Sequence, residues 1–310
     1  MVVIAGRRIS PQNLGGEYER ITVTPYAGAL GAVIGGVDIA QEQDDATIAE
    51  IRRALIEHQV IFFREQDFSP EQHLAFAKRF GTLNQHDQVK GMDEYPDIIE
   101  VRQEPTDTRN FGGAWHGDVT YLPEPPLGSI LYAKEVPPVG GDTLWSNLYL
   151  AYEDLSPGYR AMIDPLTVIH TPALIYGTKS MDWSKDSSMK SSPTEAAHYE
   201  VEHPLVRTHP ESGRKLFYVS GAYTPRFKDQ TEEESGPIID SLMSQSTREP
   251  FTCRWRWQAG DVAFWDNRAA LHYAVADYWP EKRLMHRVTI IDDQLGSGAA
   301  QDDQNRRASA

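Results

Sequence analysis

Two histidines and one aspartate give this chain its clearest chemical signal. His116 and Asp118 stand two residues apart in the run Trp-His-Gly-Asp, and His272 lies far downstream, after a Trp-Asp-Asn-Arg segment. Two imidazoles and one carboxylate on one face of a metal ion leave the opposite coordination positions open, as in non-haem Fe(II) oxygenases. Zinc hydrolases also use two histidines and one carboxylate, so these ligands alone do not choose between iron and zinc.

Strands are the elements expected to position these ligands. Residues two apart in a strand point to the same side, so His116 and Asp118 could reach one ion from an apolar, aromatic strand. The His-x-Asp pair is weak evidence by itself, because the chain has 10 histidines and contains two similar His-x-Glu pairs. His272 is expected on a loop that follows the predicted strand 261–265.

Two arginines on the last predicted strand, 283–291, indicate sites for anions. Arg283 and Arg287 share one face of that strand because side chains alternate with a period of two. Two positive charges among apolar neighbours would be costly without anionic partners, although a pair of surface salt bridges is the simpler alternative. His286 falls on the opposite face, and we interpret it as structural.

Composition limits the class of protein. The chain has 310 residues, 40% of them apolar, a net charge of −15 and no break in composition, which is typical of one large domain. The acidic balance argues against nucleic acid and anionic membrane as partners, because both attract basic patches. We find neither a secretory signal nor a membrane span and predict a cytoplasmic protein. The single cysteine, Cys253, excludes an intrachain disulfide and is expected to be buried.

Many short strands, few long helices and Gly/Pro turns predict a mainly β fold with flanking helices, either a sandwich or a jelly roll. The predicted strands are 21–26, 29–34, 59–63, 98–102, 129–134, 251–257, 261–265 and 283–291, and the predicted helices are 45–57, 69–81, 148–164 and 231–248. We expect a partly flexible arm over 1–20, one domain over 21–293 and a disordered tail over 294–310. The polar segment 180–195 is predicted to be either a lid over the site or a surface insertion.

Longer motifs resemble the taurine dioxygenase (TauD/TfdA) family of Fe(II)/2-oxoglutarate-dependent oxygenases, which includes alkylsulfatases and aryloxyalkanoate dioxygenases. The resemblance spans roughly residues 20–292 and rests on WHGDVTY (115–121), PPVGGDTLW (137–145), HPLVRTHPESG (203–213), RWRWQAGDVAFWDNRAALHYAVADY (254–278) and RLMHRVTI (283–290). It implies the family fold, which is a double-stranded β-helix (jelly roll) with flanking helices.

The resemblance implies a metal site and a cofactor site. Fe(II) would be bound by His116, Asp118 and His272. The distal carboxylate of 2-oxoglutarate would be held by Arg283 and Thr143, with Trp265 beside the cofactor. The implied reaction consumes O2, converts 2-oxoglutarate to succinate and CO2, and hydroxylates a C–H next to a heteroatom. The carboxylate at position 118 favours hydroxylation, because relatives that halogenate lack it.

The resemblance is less direct for the substrate. Substrate contacts are implied for Arg287, His86, Val119 and Tyr223, with Arg287 on the substrate anion and His86 where taurine-using members place a histidine on the sulfonate. The positions that match their two contacts to the taurine amine are Gly112 and Val89, and neither side chain can bind an ammonium. We therefore predict a small organic anion with an apolar body, such as a sulfonate, an alkyl sulfate or an aryloxyalkanoate. The alternative is taurine itself, with sulfite and aminoacetaldehyde as products.

Two other classes of protein are alternatives to an oxygenase. A zinc-dependent hydrolase on the same fold would need neither 2-oxoglutarate nor O2, and it would leave Arg283 without a partner. A non-catalytic binding module predicts the loss of at least one metal ligand, and all three are present. Homo-oligomers are common in the family, so the resemblance also predicts a homo-oligomer.

Overall fold

The computed structural model describes residues 14–177, 187–190 and 198–292, and within them the chain is mainly β with some helices, as predicted. The strands are β1 Thr22–Pro25, β2 Ala32–Gly35, β3 Val60–Phe63, β4 Thr82–Asn84, β5 Ile99–Gln103, β6 Gly128–Glu135, β7 Thr143–Asn147, β8 Thr167–His170, β9 Val201–Pro204, β10 Val206–Thr208, β11 Lys215–Phe217, β12 Arg226–Phe227, β13 Thr252–Trp255, β14 Val262–Asp266, β15 Ala270–Ala274 and β16 Arg283–Ile291. The helices are α1 Asp45–His58, α2 Pro70–Lys78, α3 Leu148–Glu153, α4 Pro157–Ile163, α5 Ala173–Tyr176 and α6 Glu232–Ser246, and Glu249–Phe251 form a 3-10 turn.

The described part of the chain contains one large sheet and three smaller ones. The large sheet has the strand order β1-β2-β3-β14-β6-β16-β4, and β5 also pairs with β16. Its neighbouring strands are antiparallel except for β2 and β3, which are parallel. The second sheet has the order β13-β7-β15, and two small sheets contain β12-β8-β9 and β10-β11.

One apolar core lies between the large sheet and the β13-β7-β15 sheet. Phe62, Ala263 and Met285 of the large sheet pack in one cluster with Trp145 and Trp255 of the smaller sheet. The rings of Phe62 and Trp255 are stacked, with 3.9 Å between their centroids. Because the two sheets face each other, the inward side chains of β7, β14, β15 and β16 point into a shared interior. Polar residues at inward positions of these strands therefore lie close together.

Helices α1 and α2 cover the other face of the large sheet. Ile51 of α1 and Phe76 of α2 pack in one cluster with Val288 of β16. A capping box begins α2, since Ser69 and Gln72 each accept a hydrogen bond from the other's backbone N–H. The helices thus leave the inner face of the sheet to the site.

The eight strands and the four helical segments given above are present, with the segment 148–164 divided into α3 and α4 before Pro157, but the strand expected to carry His116 and Asp118 is absent. Strands β4, β7–β12 and β15 were not predicted. Cys253 is buried, as predicted. The predicted lid over 180–195 lies outside the described residues except for 187–190, and so do residues 1–13 of the arm and the whole tail. Among the described residues, no helix combines the length and apolarity needed to cross a membrane.

Candidate metal centre

The three predicted metal ligands meet at one buried place between the large sheet and the β13-β7-β15 sheet. One ligand atom from each of His116, Asp118 and His272 lies within 4.8 Å of the other two. Asp118 Oδ1 is 3.8 Å from Nε2 of each histidine. Metal–ligand bonds of about 2 Å would bring three atoms at this spacing onto one ion with little side-chain movement.

The elements that carry these ligands differ from the prediction. His116 is not in a strand: it forms an isolated antiparallel bridge with His272, whose two N–H···O distances are 3.0 and 2.8 Å. Asp118 begins a turn in which Val119 has a φ of +43°. His272 lies in strand β15 rather than on a loop, because the chain returns to strand conformation directly after a short turn. Backbone pairing between distant segments brings the histidines together, and strand alternation does not.

The surroundings favour the protonation states that bind a metal ion. His116 Nδ1–H donates to the Ala114 carbonyl at 2.7 Å, which leaves Nε2 without a proton in the neutral ring. Burial lowers the pKa of His116 and lowers that of His272 well below its usual value. Burial disfavours the ionised form of Asp118, but the Arg287 guanidinium holds the pKa of that carboxyl below its usual range. Neutral imidazoles and an ionised carboxylate are the required ligand forms.

The Asp118 carboxylate is held from two sides. Arg287 Nη1 donates to Oδ1 at 2.6 Å, and the Ser129 hydroxyl donates to Oδ2 at 2.7 Å. The Ser129 hydroxyl also lies 3.1 Å from the Thr289 hydroxyl on β16. Ser129 was not predicted as a site residue. A serine within a predicted apolar strand could have indicated it, because a polar side chain at an inward position needs a hydrogen-bond partner. Arg287 therefore contacts a metal-ligand candidate directly, which its position in the strand did not indicate.

Arg283 is a buried cation at the other end of the site. Its Nη2 is 3.5 Å from Thr143 Oγ1, which also accepts from Trp257 Nε1 at 2.9 Å. Arg283 Nε is buried without a hydrogen-bond partner in the described part of the chain, and so is Nε1 of Trp265, whose ring lies 4.7 Å from that of His272. Unpaired buried donors cost free energy, so this end of the site suits an anion with several acceptor oxygens.

A cavity of about 340 Å³ opens beside the metal-ligand candidates. Its lining includes His116, Phe111, Gly112 and Tyr223. Val119 is buried and packs with Tyr223 in one apolar cluster. The walls are mostly aromatic or small and apolar, which suits the apolar body of a substrate.

His86 and Arg287 both lie against aromatic residues of the cavity lining, and the ring of His86 is 5.8 Å from that of Tyr176. Backbone N–H groups of Gln88 and Val89 donate to His86 Nδ1 at 3.0 and 3.2 Å, so a neutral His86 carries its proton on Nε2. Burial, followed by the charge of Arg287, lowers the pKa of His86 to about 4. Arg287 stands 5.6 Å from the ring of Phe111 in the cavity wall. A cation and a neutral N–H donor are therefore placed near this cavity.

Comparison with known proteins agrees with this geometry. The family model described as "Taurine catabolism dioxygenase TauD, TfdA family" matches residues 22–289. An alpha-ketoglutarate-dependent sulfate ester dioxygenase of Pseudomonas putida is 37% identical over 276 residues, covering 88% of this chain and 90% of the relative. An alkylsulfatase of Acinetobacter baylyi is 33% identical over 277 residues, covering 89% and 86%.

A solved structure shows the same likeness in three dimensions. The crystal structure of a taurine dioxygenase from Burkholderia xenovorans superposes with a TM-score of 0.74 and 36% sequence identity, covering 89% of this chain and 92% of the other. The family match spans most of the chain and contains all three metal-ligand candidates and both site arginines. This chain therefore belongs to the TauD/TfdA family.

Proposed function

We propose that this chain is an Fe(II)- and 2-oxoglutarate-dependent dioxygenase that hydroxylates a C–H next to a heteroatom in a small organic anion. The observation that carries the proposal is the buried group of His116, Asp118 and His272 with Arg283 buried nearby, without a carboxylate ion pair among the described residues. The sulfate ester dioxygenase and the alkylsulfatase support this class of reaction. The jelly-roll fold and a single domain over 21–293 are parts of the same proposal.

The residues present fit both groups that the proposal requires. Two neutral imidazoles and a carboxylate suit Fe(II), and the buried guanidinium of Arg283, whose Nε has no hydrogen-bond partner in the described part of the chain, suits the distal carboxylate of 2-oxoglutarate. Thr143 can donate its hydroxyl proton to the same carboxylate, because its oxygen already accepts from Trp257. Fe(II), 2-oxoglutarate and O2 together would supply the oxidant for hydroxylation, with succinate and CO2 as products.

The chain's own contribution is positioning and charge. Arg283 would fix the cosubstrate at its far end, while Arg287 and the Nε2–H of His86 would fix the substrate anion. The aromatic cavity wall would hold the apolar body and keep water from the reacting carbon. Hydroxylation of a carbon that bears a sulfate or sulfonate group gives an unstable product, which collapses to a carbonyl compound and releases the inorganic anion.

Taurine is the second candidate substrate. A taurine dioxygenase is among the similar solved structures, and the family resemblance implies a sulfonate contact for His86. Gly112 and Val89 argue against taurine as the substrate, because neither side chain can form a hydrogen bond with its ammonium group.

Succinate formation tests the proposal. The Fe(II)-loaded protein should form succinate from 2-oxoglutarate under O2, and an alkyl sulfate, an alkyl sulfonate or an aryloxyalkanoate should stimulate this far more than taurine does. The matched control is the same protein loaded with Zn(II), which should form none. Stimulation by taurine alone would favour the second candidate. Failure of the iron protein to bind 2-oxoglutarate would refute the proposed function.

The double variant Gly112→Asn/Val89→Tyr tests the substrate preference. It should raise taurine turnover relative to alkyl sulfate turnover, because it supplies two polar partners for the ammonium. Gly112 has a φ of +82°, which asparagine tolerates better than most residues, and a Cβ there would make an ordinary 3.5 Å contact with His116 Cε1. Val89 is buried, so the larger tyrosine is expected to cost about 1–3 kcal/mol of stability.

The control for this variant is Gly113→Asn, which places the same amide one residue further along. Turnover ratios for taurine and an alkyl sulfate should be measured on folded protein, checked by thermal unfolding. An unchanged ratio in the double variant would contradict our explanation of the substrate preference.

A further inference from the structure

The turn that presents Asp118 is held by a residue far away in the sequence. The Asp118 backbone N–H donates to Asn267 Oδ1 at 2.7 Å, and Asn267 Nδ2 donates to the Asp118 carbonyl at 2.8 Å. One side-chain amide thus pairs with both backbone polar groups of the residue that carries the carboxylate. Asn267 is itself only 1% exposed, and its own backbone N–H donates to the Leu127 carbonyl at 2.8 Å.

The chain packs closely around this amide. A Cβ added at Gly117 would lie in ordinary contact with Asn267 Oδ1, at 3.4 Å, but only 2.9 Å from Thr120 Cγ2, so a larger residue would press on the turn at Thr120. Glycine at position 117 therefore leaves room for the Thr120 side chain within the turn.

The same turn has an unfavourable backbone conformation. Val119 has a φ of +43°, and a β-branched residue at positive φ is a genuine outlier. Such conformations persist only where the surrounding structure fixes them, and they cluster at functional sites. The turn therefore depends on its external hydrogen bonds, because its own sequence does not favour it.

Two buried histidines hold the next residue of the turn. His203 Nε2 lies 3.0 Å from the Thr120 carbonyl oxygen and donates to it, and His170 Nδ1 lies 2.7 Å from the Thr120 hydroxyl. Both histidines are buried, and neither is among the metal-ligand candidates. The turn is thus fixed by Asn267 at Asp118 and by His203 at Thr120.

We infer that Asn267 is a positioning residue that sets the Asp118 carboxylate for metal binding by clamping the Asp118 backbone, with His203 fixing the far side of the strained turn. The inference rests on the proposed metal site. Its physical basis is that the carboxylate lies 3.8 Å from Nε2 of both histidines only while the turn keeps its conformation. Asn267 also belongs to the turn that leads into β15, so one residue ties the Asp118 turn to the strand that carries His272.

The test is the affinity of the full chain for Mn(II), measured by titration calorimetry with no substrate and no turnover. Asn267→Ala should weaken Mn(II) binding by roughly 10- to 100-fold, the usual loss when an outer partner of a metal ligand is removed. The matched control is Asn147→Ala. Asn147 is also a buried asparagine, and it donates to the Ala29 carbonyl and accepts from the Leu150 N–H without contacting Asp118. It should lose comparable stability and keep its Mn(II) affinity.

If Asn267→Ala and Asn147→Ala lost the same amount of Mn(II) affinity, or if neither lost any, Asn267 would not position Asp118 for the metal. That result would overturn the inference about Asn267 but not the proposed metal site. An unmodified chain that does not bind Mn(II) would overturn the proposed metal site as well. If Asn267→Ala does not fold, the pair His203→Gln and His203→Leu tests the turn from its other side. Glutamine keeps a donor nitrogen for the Thr120 carbonyl and leucine does not, so only His203→Leu should weaken Mn(II) binding, and equal affinities would refute the inference.

Discussion

Replacing Asp118 by alanine should abolish turnover and also weaken the fold. The change removes the carboxylate from the proposed metal site, so the loss of metal affinity should exceed the ~100-fold that removal of an outer partner costs. It also leaves Arg287 buried without its 2.6 Å partner. Breaking one side of a buried ion pair typically costs about 3–5 kcal/mol, and urea denaturation should show a loss of that order.

A second variant separates the two effects of this change. In Asp118→Ala/Arg287→Met the unpaired guanidinium is replaced by an apolar side chain, so much of the lost stability should return. Mn(II) affinity and succinate formation should stay as low as in the single variant, because the ligand is still missing. If Asp118→Ala retained Mn(II) affinity within a few-fold of the unmodified chain, Asp118 would not be a metal ligand.

The fold was predictable where local pattern and burial agree. The last strand is an example: Arg283 and Arg287 were expected on one inward face, and both are buried there. Strand β15 was not predicted, because it follows β14 after a short turn and pairs with β7 and with His116, which are distant in sequence. Short strands of this kind owe their structure to tertiary pairing, which a local window of sequence does not contain.

The site was predictable in its residues but not in its geometry. The histidine and aspartate types indicated a metal, and the family resemblance selected which of them meet. The turn at Val119 was not predictable, because a valine at positive φ contradicts local preference and depends on partners such as Asn267. The contact between Arg287 and Asp118 was also not foreseen, since it joins residues separated by 169 positions.

The two buried arginines should divide the two anionic reactants between them. Arg283→Ala should raise the KM for 2-oxoglutarate far more than the KM for the substrate, and Arg287→Ala should do the reverse. Truncating one partner of a buried charged contact costs about 2–5 kcal/mol, which corresponds to roughly 30- to several thousand-fold in KM. The measurement is succinate formation with each reactant varied while the other is saturating.

The Arg287→Ala variant changes more than a substrate contact, because Arg287 also donates a hydrogen bond to Asp118. Its removal should alter metal binding as well, so both variants must be assayed at saturating Fe(II) and their Mn(II) affinities measured separately. Arg283 has no such contact, and Arg283→Ala should leave Mn(II) affinity unchanged in the absence of 2-oxoglutarate.

Arg102→Ala is the matched control for both variants. Arg102 lies on the neighbouring strand β5 with Glu100 and Glu104 as carboxylate partners, and its side chain is 36% exposed. Its removal should change neither KM, since an exposed arginine that already has partners contributes little. If Arg283→Ala and Arg287→Ala raised both KM values equally, the two guanidiniums would act as one electrostatic region. The assignment of one arginine to 2-oxoglutarate and the other to the substrate anion would then be wrong.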